Sequence, residues 1–178
     1  MDDVKKQYGF LYRQIIADYK KLTENAETWF PQLKGRKPEL VGFVWFQGWN
    51  DMWGGDEEYA ANLKCFIKDM RKELGAPNLP FVIVAMGQNG SQPATGAMLA
   101  IRDAQMSISD VPEFQGNVKA FRADLLVDKE AERLHPTKDP LRKMYVGDEG
   151  YHYFGSPIWY TRIGRAEGEA MLELLEHG

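Results

Sequence analysis

The length and composition of the chain indicate one globular domain that extends over residues 1–178. Of the 178 residues, 44% are hydrophobic and 27% are charged, which excludes the disordered, fibrous and membrane-embedded classes. We accordingly expect no membrane partner. The formal net charge of −4 argues against a nucleic-acid partner, and the single cysteine, Cys65, excludes an internal disulfide and a cysteine metal cluster.

Apolar residues recur along the chain in two patterns, which we interpret as alternating helices and strands. Helical segments show one apolar stripe, whereas strand segments are short apolar runs that suit a strand covered on both faces. The predicted elements, in chain order, are a helix over residues 4–22, a strand over 40–46, a helix over 56–74, a strand over 80–86, a helix over 95–107, a strand over 117–122 and a helix over 157–176. The charged stretch 128–148 is predicted to be irregular.

This alternation predicts a parallel sheet with helices on both faces. In such sheets, ligands bind in the loops that follow the carboxyl ends of the strands. Two loops are therefore candidates for a functional site. One is residues 47–55, directly after the first predicted strand, and the other surrounds His152, just before the last helix.

The first candidate loop, in the segment FQGWNDMWGG, places polar side chains at the end of an apolar strand. These side chains are Gln47, Asn50 and Asp51, and Gly48 permits a tight turn close to a ligand. An asparagine at such a place can donate its amide to the oxyanion of an acyl-transfer reaction. The alternative is that Asn50 and Asp51 only form an Asx turn and cap a helix.

His152, in the segment GDEGYHYFGS, is the histidine best placed for chemistry. Imidazole titrates near neutral pH and can act as a general base, and a nearby carboxylate would orient its ring. Asp148 and Glu149 are both within reach in the sequence. The alternative is a purely structural histidine. The three histidines are too dispersed to predict a metal site, and the nucleotide-binding motifs are absent from the sequence, so we expect neither a metal nor a cofactor.

Aromatic residues make up 12% of the chain and gather beside both candidate loops. The two groups are Trp45, Phe46, Trp49 and Trp53, and Tyr151, Tyr153, Phe154, Trp159 and Tyr160. They are interpreted either as core packing or as the walls of a cleft for flat ligands such as sugar rings.

The chain also contains three recognisable blocks in this order: VWFQGWND, AIRDAQ and GYHYFGSPIWYTRIGRAEGEAM. Together they resemble the SGNH hydrolases, in the branch of sialate O-acetylesterases and acetylxylan esterases. The resemblance implies a three-layer α/β/α, flavodoxin-like fold with parallel strands in the order 2-1-3-4-5, of which this chain would supply about three strands. It also implies a carbohydrate O-acetylesterase that hydrolyses acetyl esters on sugars through a serine acyl-enzyme, with an acetylated carbohydrate as the partner.

The resemblance further implies catalytic roles for matching positions. His152 would be the general base that takes the proton of the serine. Asp148 would orient it, although many members carry the acid three residues before the histidine, where this chain has Glu149. Asn50 and Gly48 would occupy the oxyanion-hole positions.

Other matching positions would support the loop or contact the substrate. Gln47 and Asp51 would hold the oxyanion loop in place. Trp49, Tyr151 and Tyr153 would form walls for a sugar ring.

The family's nucleophilic serine belongs to a GQSN-like turn near the start of the domain, and this sequence has no such turn there. The segment GQNGS at residues 87–91 is similar, but it follows the QGWND block and is therefore in the wrong order. We therefore expect an N-terminally truncated domain that is inactive alone. The strand over residues 40–46 would then be an exposed sheet edge, through which the chain could self-associate.

The alternative function is a non-catalytic carbohydrate-binding or interaction module that reuses the esterase cleft. Localisation is not predicted. The resemblance implies a periplasmic or secreted location for full-length relatives, whereas this sequence begins with MDDVKKQYGF and has no apolar signal segment.

Overall fold

Three parallel strands form one sheet in the computed structural model of the chain, which describes residues 9–177. The strands are β1 (Phe43–Trp45), β2 (Phe81–Ala85) and β3 (Val118–Arg122), paired in the order β1-β2-β3. Each strand lies inside its predicted segment, and the prediction of a parallel sheet is confirmed. β1 is shorter than the predicted segment because only its three residues pair with β2.

Helices alternate with the strands, as the apolar pattern predicts. They are α1 (Phe10–Trp29), α2 (Tyr59–Glu73), α3 (Gly96–Ser107), α4 (Lys129–Leu134), α5 (Arg142–Tyr145) and α6 (Pro157–His177). α1 continues past the predicted end at residue 22, because no glycine or proline interrupts the chain before Pro31. Residues 4–8 of that prediction lie outside the described residues. Across residues 9–177, no helix combines the length and the apolarity needed to cross a membrane.

The prediction that residues 128–148 are irregular is wrong, because this stretch contains α4 and α5. Asp128 caps α4, and its carboxylate accepts hydrogen bonds from the N–H groups of Glu130 (3.1 Å) and Ala131 (3.3 Å). Ala131 and Leu134 are then fully buried. The helix is too short, and its other residues too charged, to show an apolar stripe.

β2 is the centre of the core, and its side chains alternate between two helical layers. Phe81 and Ile83 belong to the apolar cluster that includes α2 and α3. Val82 and Val84 belong to clusters on the other face, where they meet α6. β2 is buried over its whole length, so the predicted three-layer α/β/α order is confirmed.

β1 lies at one edge of the sheet, where it pairs with β2 and with no other strand of the described residues. Phe43 and Trp45 pack against the core cluster beneath α2. Val44 points to the other face and is 42% exposed, and Phe46, just after the strand, is 37% exposed. The prediction of a strand covered on both faces is therefore wrong at Val44, whereas its predicted edge position is confirmed.

Candidate active site

A cleft of about 440 Å³ opens at the carboxyl ends of β1 and β2. It brings the two candidate loops together with the residues that follow β2. Its lining residues are Phe46, Gln47, Gly48, Trp49, Asn50, Met86, Gln88, Tyr151, His152, Tyr153 and Tyr160. The volume is in the range of small-molecule sites, roughly 300–1,000 Å³.

The loop after β1 turns at Gly48 and continues as a short 3₁₀ helix, Trp49–Met52. Gly48 is buried. A Cβ atom at this position would lie 2.8 Å from the sulfur of Met86 and 2.9 Å from the side-chain nitrogen of Gln105. Because real Cβ atoms do not approach neighbours this closely, the loop needs a glycine here.

Within this loop, Gln47 and Asp51 are bonded to each other, whereas Asn50 is not engaged. The Gln47 amide donates a 2.5 Å hydrogen bond to the Asp51 carboxylate and so braces the turn. Asn50 is exposed at the cleft, and its side chain makes no hydrogen bond with the described residues. The Asn50 amide is therefore available to a ligand, and the short helix has no capping bond from a side chain.

Two polar side chains of α3 are bonded to the segments that follow the strands, beneath the cleft. Gln105 is fully buried; its amide nitrogen donates to the Gln47 carbonyl (2.6 Å), and its amide oxygen accepts from the Met86 N–H (2.8 Å). Arg102 donates to the Met86 carbonyl (2.8 Å) and pairs with Asp124 (3.2 Å). The arginine and glutamine of the AIRDAQ block therefore form the support under the site.

His152 lines the cleft with its ring held by Asp148. Its Nδ1 lies 3.0 Å from an Asp148 carboxylate oxygen. With Nδ1 as the donor of this bond, Nε2 is left as the acceptor that a general base requires. The Asp148 carboxylate also accepts from the Glu149 N–H (2.7 Å), and this bond, together with His152, lowers the pKa of Asp148. Asp148 is therefore ionised at neutral pH.

Glu149, the other acidic neighbour of His152 in the sequence, contacts a different histidine. Its carboxylate lies 2.9 Å from Nε2 of His135. The His135 ring packs on Phe154, with ring centroids 5.0 Å apart. The two carboxylates are thus divided between two histidines, and Asp148 is the one that contacts His152.

A left-handed turn directly follows His152. Tyr153 and Phe154 have φ angles of 56° and 57°, which residues other than glycine rarely adopt. The buried Tyr153 hydroxyl accepts a hydrogen bond from the Gly87 N–H (3.1 Å), and the Phe154 carbonyl accepts from the Gly147 N–H (2.8 Å). Burial raises the pKa of Tyr153, so its hydroxyl stays protonated. These bonds offset a backbone strain of about 1–3 kcal/mol per residue and fix the segment.

The aromatic residues of the two loops meet at the cleft. Trp49 and Tyr151 stack with ring centroids 5.7 Å apart and an interplanar angle of 28°. Trp53 meets the Trp49 ring edge-on at 5.7 Å and is 70% exposed. Tyr153 is instead largely buried, with its ring against Phe46 at 5.4 Å. Exposed Tyr151 and Trp53 therefore flank the half-buried Trp49 at the surface, and Tyr153 lies deeper in the wall.

Two serines, one after β2 and one just before α6, hydrogen-bond to residues other than His152. Ser91, in the GQNGS segment, hydrogen-bonds the Glu132 carboxylate (2.8 Å) and contacts Lys129. Ser156 is buried and donates a 2.5 Å bond to Asp128. Among the described residues, the cleft lining includes no serine, and no group of three His, Cys, Asp or Glu is arranged to hold a metal ion.

Two lining residues, Met86 and Gln88, are not among the candidates from the sequence. Both follow the carboxyl end of β2, and Gln88 is almost completely buried. The sequence did contain a signal for Gln88. It is a polar residue just after an apolar strand segment, as Gln47 is.

Comparison with known proteins gives the family. A model of the carbohydrate esterases described as sialic acid-specific acetylesterases matches residues 2–145, which is most of the chain. The chain belongs to this family. The resemblance to the sialate O-acetylesterase branch is thereby confirmed, and the match includes the loop after β1 and all of α3. It ends before Asp148 and His152.

A solved structure shows the same fold. It is an X-ray structure of a protein from Arabidopsis thaliana, with a TM-score of 0.51 and 20% sequence identity. The likeness covers 95% of this chain and 54% of the Arabidopsis chain, so the chain spans about half the length of that protein. No curated protein sequence matches the chain.

Proposed function

We propose that the chain carries the base and the oxyanion-stabilising side of a carbohydrate O-acetylesterase that acts on acetyl esters of sugars. The observation that carries this proposal is the 3.0 Å contact between His152 and Asp148, at a cleft that also contains Asn50. A base with an orienting carboxylate and a free amide donor are the parts that ester hydrolysis by a serine requires.

In this mechanism, Nε2 of His152 takes the proton of a serine hydroxyl while the serine oxygen attacks the acetyl carbonyl. The ester bond breaks, the sugar oxygen leaves with the proton from His152, and an acetyl-serine remains. Water then attacks the acetyl group, His152 takes one of its protons and returns it to the serine oxygen, and the acetic acid that leaves gives its remaining proton to the solvent. Asp148 orients the ring and stabilises the imidazolium in both steps.

Asn50 and the turn at Gly48 would stabilise the oxyanion of both tetrahedral intermediates. The Asn50 amide has no other partner among the described residues, so it can donate to the developing charge without first breaking a bond. Loss of one such donor lowers kcat by about 10²–10³-fold in serine hydrolases. The Gln47–Asp51 bond keeps the loop rigid, which is what a preorganised donor needs.

We further propose that the nucleophilic serine comes from a strand that pairs with the free edge of β1. In support, β1 has one strand partner among the described residues, Val44 is exposed, and Phe46 is exposed at the cleft. An apolar edge with unpaired backbone groups is a template for a further strand. The coding sequence upstream of Met1 and the oligomeric state by size-exclusion chromatography distinguish a longer chain from a partner copy.

The experiment compares ester hydrolysis by the 178-residue chain, with and without the substitution His152→Ala, on p-nitrophenyl acetate. We expect turnover close to the buffer rate for both. Robust turnover that His152→Ala abolishes would refute the external serine and support the base. For a longer chain with hydrolytic activity, unchanged kcat in His152→Ala would refute the proposed base.

A second candidate function is sugar binding without hydrolysis, which the stack of Trp49 and Tyr151 at the cleft favours. Aromatic faces of this kind supply the apolar surface on which a sugar ring packs. Glycan binding that persists in His152→Ala, together with no hydrolysis in any longer form of the protein, would favour this module over the esterase.

A further inference from the structure

Gln88 is a buried amide at the cleft that the proposed reaction does not use. It is 6% exposed and lines the cleft together with Asn50 and His152. Its side-chain oxygen has no hydrogen-bond partner among the described residues. A buried amide group left unpaired costs about 1–3 kcal/mol, and such a group in a folded protein calls for a partner from outside the chain.

The backbone on both sides of Gln88 is fixed to the segment on either side of the proposed base. The Gly87 N–H donates to the Tyr153 hydroxyl (3.1 Å), and the Asn89 N–H donates to the Gly150 carbonyl (3.2 Å). Asn89 adopts a left-handed φ of 66°, so the chain turns sharply here. Gln88 cannot leave the cleft unless these contacts break, and its position next to the site is therefore built into the fold.

A sugar hydroxyl is the partner that suits this amide. A hydroxyl group both donates and accepts, so it can pair with either the oxygen or the nitrogen of the Gln88 side chain. The terminal torsion of glutamine is broad and roughly two-fold, so rotation about it can present either the oxygen or the nitrogen to a bound ligand. The stacked rings of Trp49 and Tyr151 line the same cleft and offer a face for the sugar ring.

We propose that Gln88 is a specificity-determining residue that accepts a hydrogen bond from a free hydroxyl group of the sugar in the cleft. The ligand class rests on the proposed function. Gln88 takes no part in proton transfer; it sets which sugar ring, and which orientation of that ring, brings an acetyl ester to His152. A site built to pair with a hydroxyl discriminates strongly against an analogue that lacks it, because the amide is then buried and unpaired.

The test measures binding to the 178-residue chain without hydrolysis, by titration calorimetry. The probes are two sugars with one acetyl ester each, a methyl xyloside and an N-acetylneuraminic acid, and analogues of each in which one free hydroxyl is replaced by hydrogen. The substitution is Gln88→Met, which keeps the length and the burial of the side chain. The control is Gln92→Met, which changes an exposed glutamine of the same segment.

We expect Gln88→Met to weaken binding of one of the two sugars about tenfold, or 1.4 kcal/mol, and Gln92→Met to leave it unchanged. In the unsubstituted chain, removal of one particular hydroxyl should weaken binding by a similar factor. In Gln88→Met, removal of that hydroxyl should have no further effect, which is the coupling expected of a direct hydrogen bond. The thermal midpoint should not fall, because the amide oxygen is unpaired in the free protein.

The proposal is overturned if the chain binds neither sugar, if Gln88→Met binds both as tightly as before, or if its effect is the same for every analogue. Should Gln88→Met fail to fold, Gln88→Asn retracts the amide from the ligand and must show the same loss and the same coupling. Hydrolysis without dependence of binding on Gln88 would overturn this inference alone. Binding that depends on Gln88, together with no hydrolysis in any longer form of the protein, would overturn the proposed esterase alone.

Discussion

Replacement of Gln105 by methionine tests whether α3 holds the ends of β1 and β2 together. The buried Gln105 amide accepts from the Met86 N–H (2.8 Å) and donates to the Gln47 carbonyl (2.6 Å) and the Tyr59 hydroxyl (3.1 Å). Methionine has nearly the same length, so the change removes these bonds while the space stays filled. The loss in the free energy of unfolding then measures the lost hydrogen bonds and not the creation of a cavity.

The magnitude follows from what each former partner keeps. The Gln47 carbonyl retains a hydrogen bond of 2.8 Å from the Tyr59 hydroxyl. The Met86 N–H loses the partner that the structure gives it, and a buried N–H left unpaired costs about 1–3 kcal/mol. With about 1 kcal/mol more for the other lost bonds, we expect the free energy of unfolding to fall by roughly 2–4 kcal/mol, or roughly 5–15 °C in Tm for a chain of this size.

Urea unfolding, followed by circular dichroism and by tryptophan fluorescence, measures this difference. Gln115→Met is the matched control, because Gln115 is exposed and far from the cleft, and it should change stability by less than about 0.5 kcal/mol. A loss in Gln105→Met no larger than that of the control would refute the reasoning. It would mean that the Met86 N–H finds another partner and that the two strand ends are held in another way.

Three other substitutions test the segment around His152. In a form of the protein that hydrolyses acetyl esters, Asp148→Asn should lower kcat by roughly 10³–10⁴-fold, whereas Glu149→Gln should leave it nearly unchanged; equal losses would contradict the division of the two carboxylates. Because the pKa of Asp148 is held below its ordinary value of 3.8, its contribution to stability is present above that pH and is lost as the pH falls through the lowered pKa. Urea midpoints below pH 4 should show this loss in the unsubstituted chain and not in Asp148→Asn. Tyr153→Phe keeps the ring but removes the acceptor of the Gly87 N–H, and should lower the free energy of unfolding by about 1–3 kcal/mol; an unchanged urea midpoint would show that the N–H has another partner.

The sheet and its carboxyl-end loops could be predicted from the sequence because local physics determines them. β2 is an apolar run bounded by Pro80 and Gly87, and the fold buries the whole strand. Polar residues rarely follow an apolar strand unless they belong to a site, and the cleft lies at the polar residues after β1. Periodicity and strand-end polarity therefore account for the place of the site.

The detailed geometry at His152 could not be predicted in this way. The left-handed φ angles of Tyr153 and Phe154 occur in residues that rarely adopt them, and long-range bonds hold them. The same turn determines that Asp148 meets His152 and that Glu149 meets His135, so sequence spacing left both carboxylates open. The prediction that residues 128–148 are irregular was wrong for a related reason, because α4 depends on the cap at Asp128 and not on an apolar stripe.

The end of β2 anchors both walls of the cleft, because Met86 is bonded to α3 and Gly87 to Tyr153. One wall therefore cannot swing toward the other as a lid without loss of buried hydrogen bonds. Ligands should consequently enter a preformed site, with little conformational entropy lost by the protein on binding. Adaptation to a new ligand would then come more readily from exchange of exposed side chains such as Trp53 than from movement of the backbone.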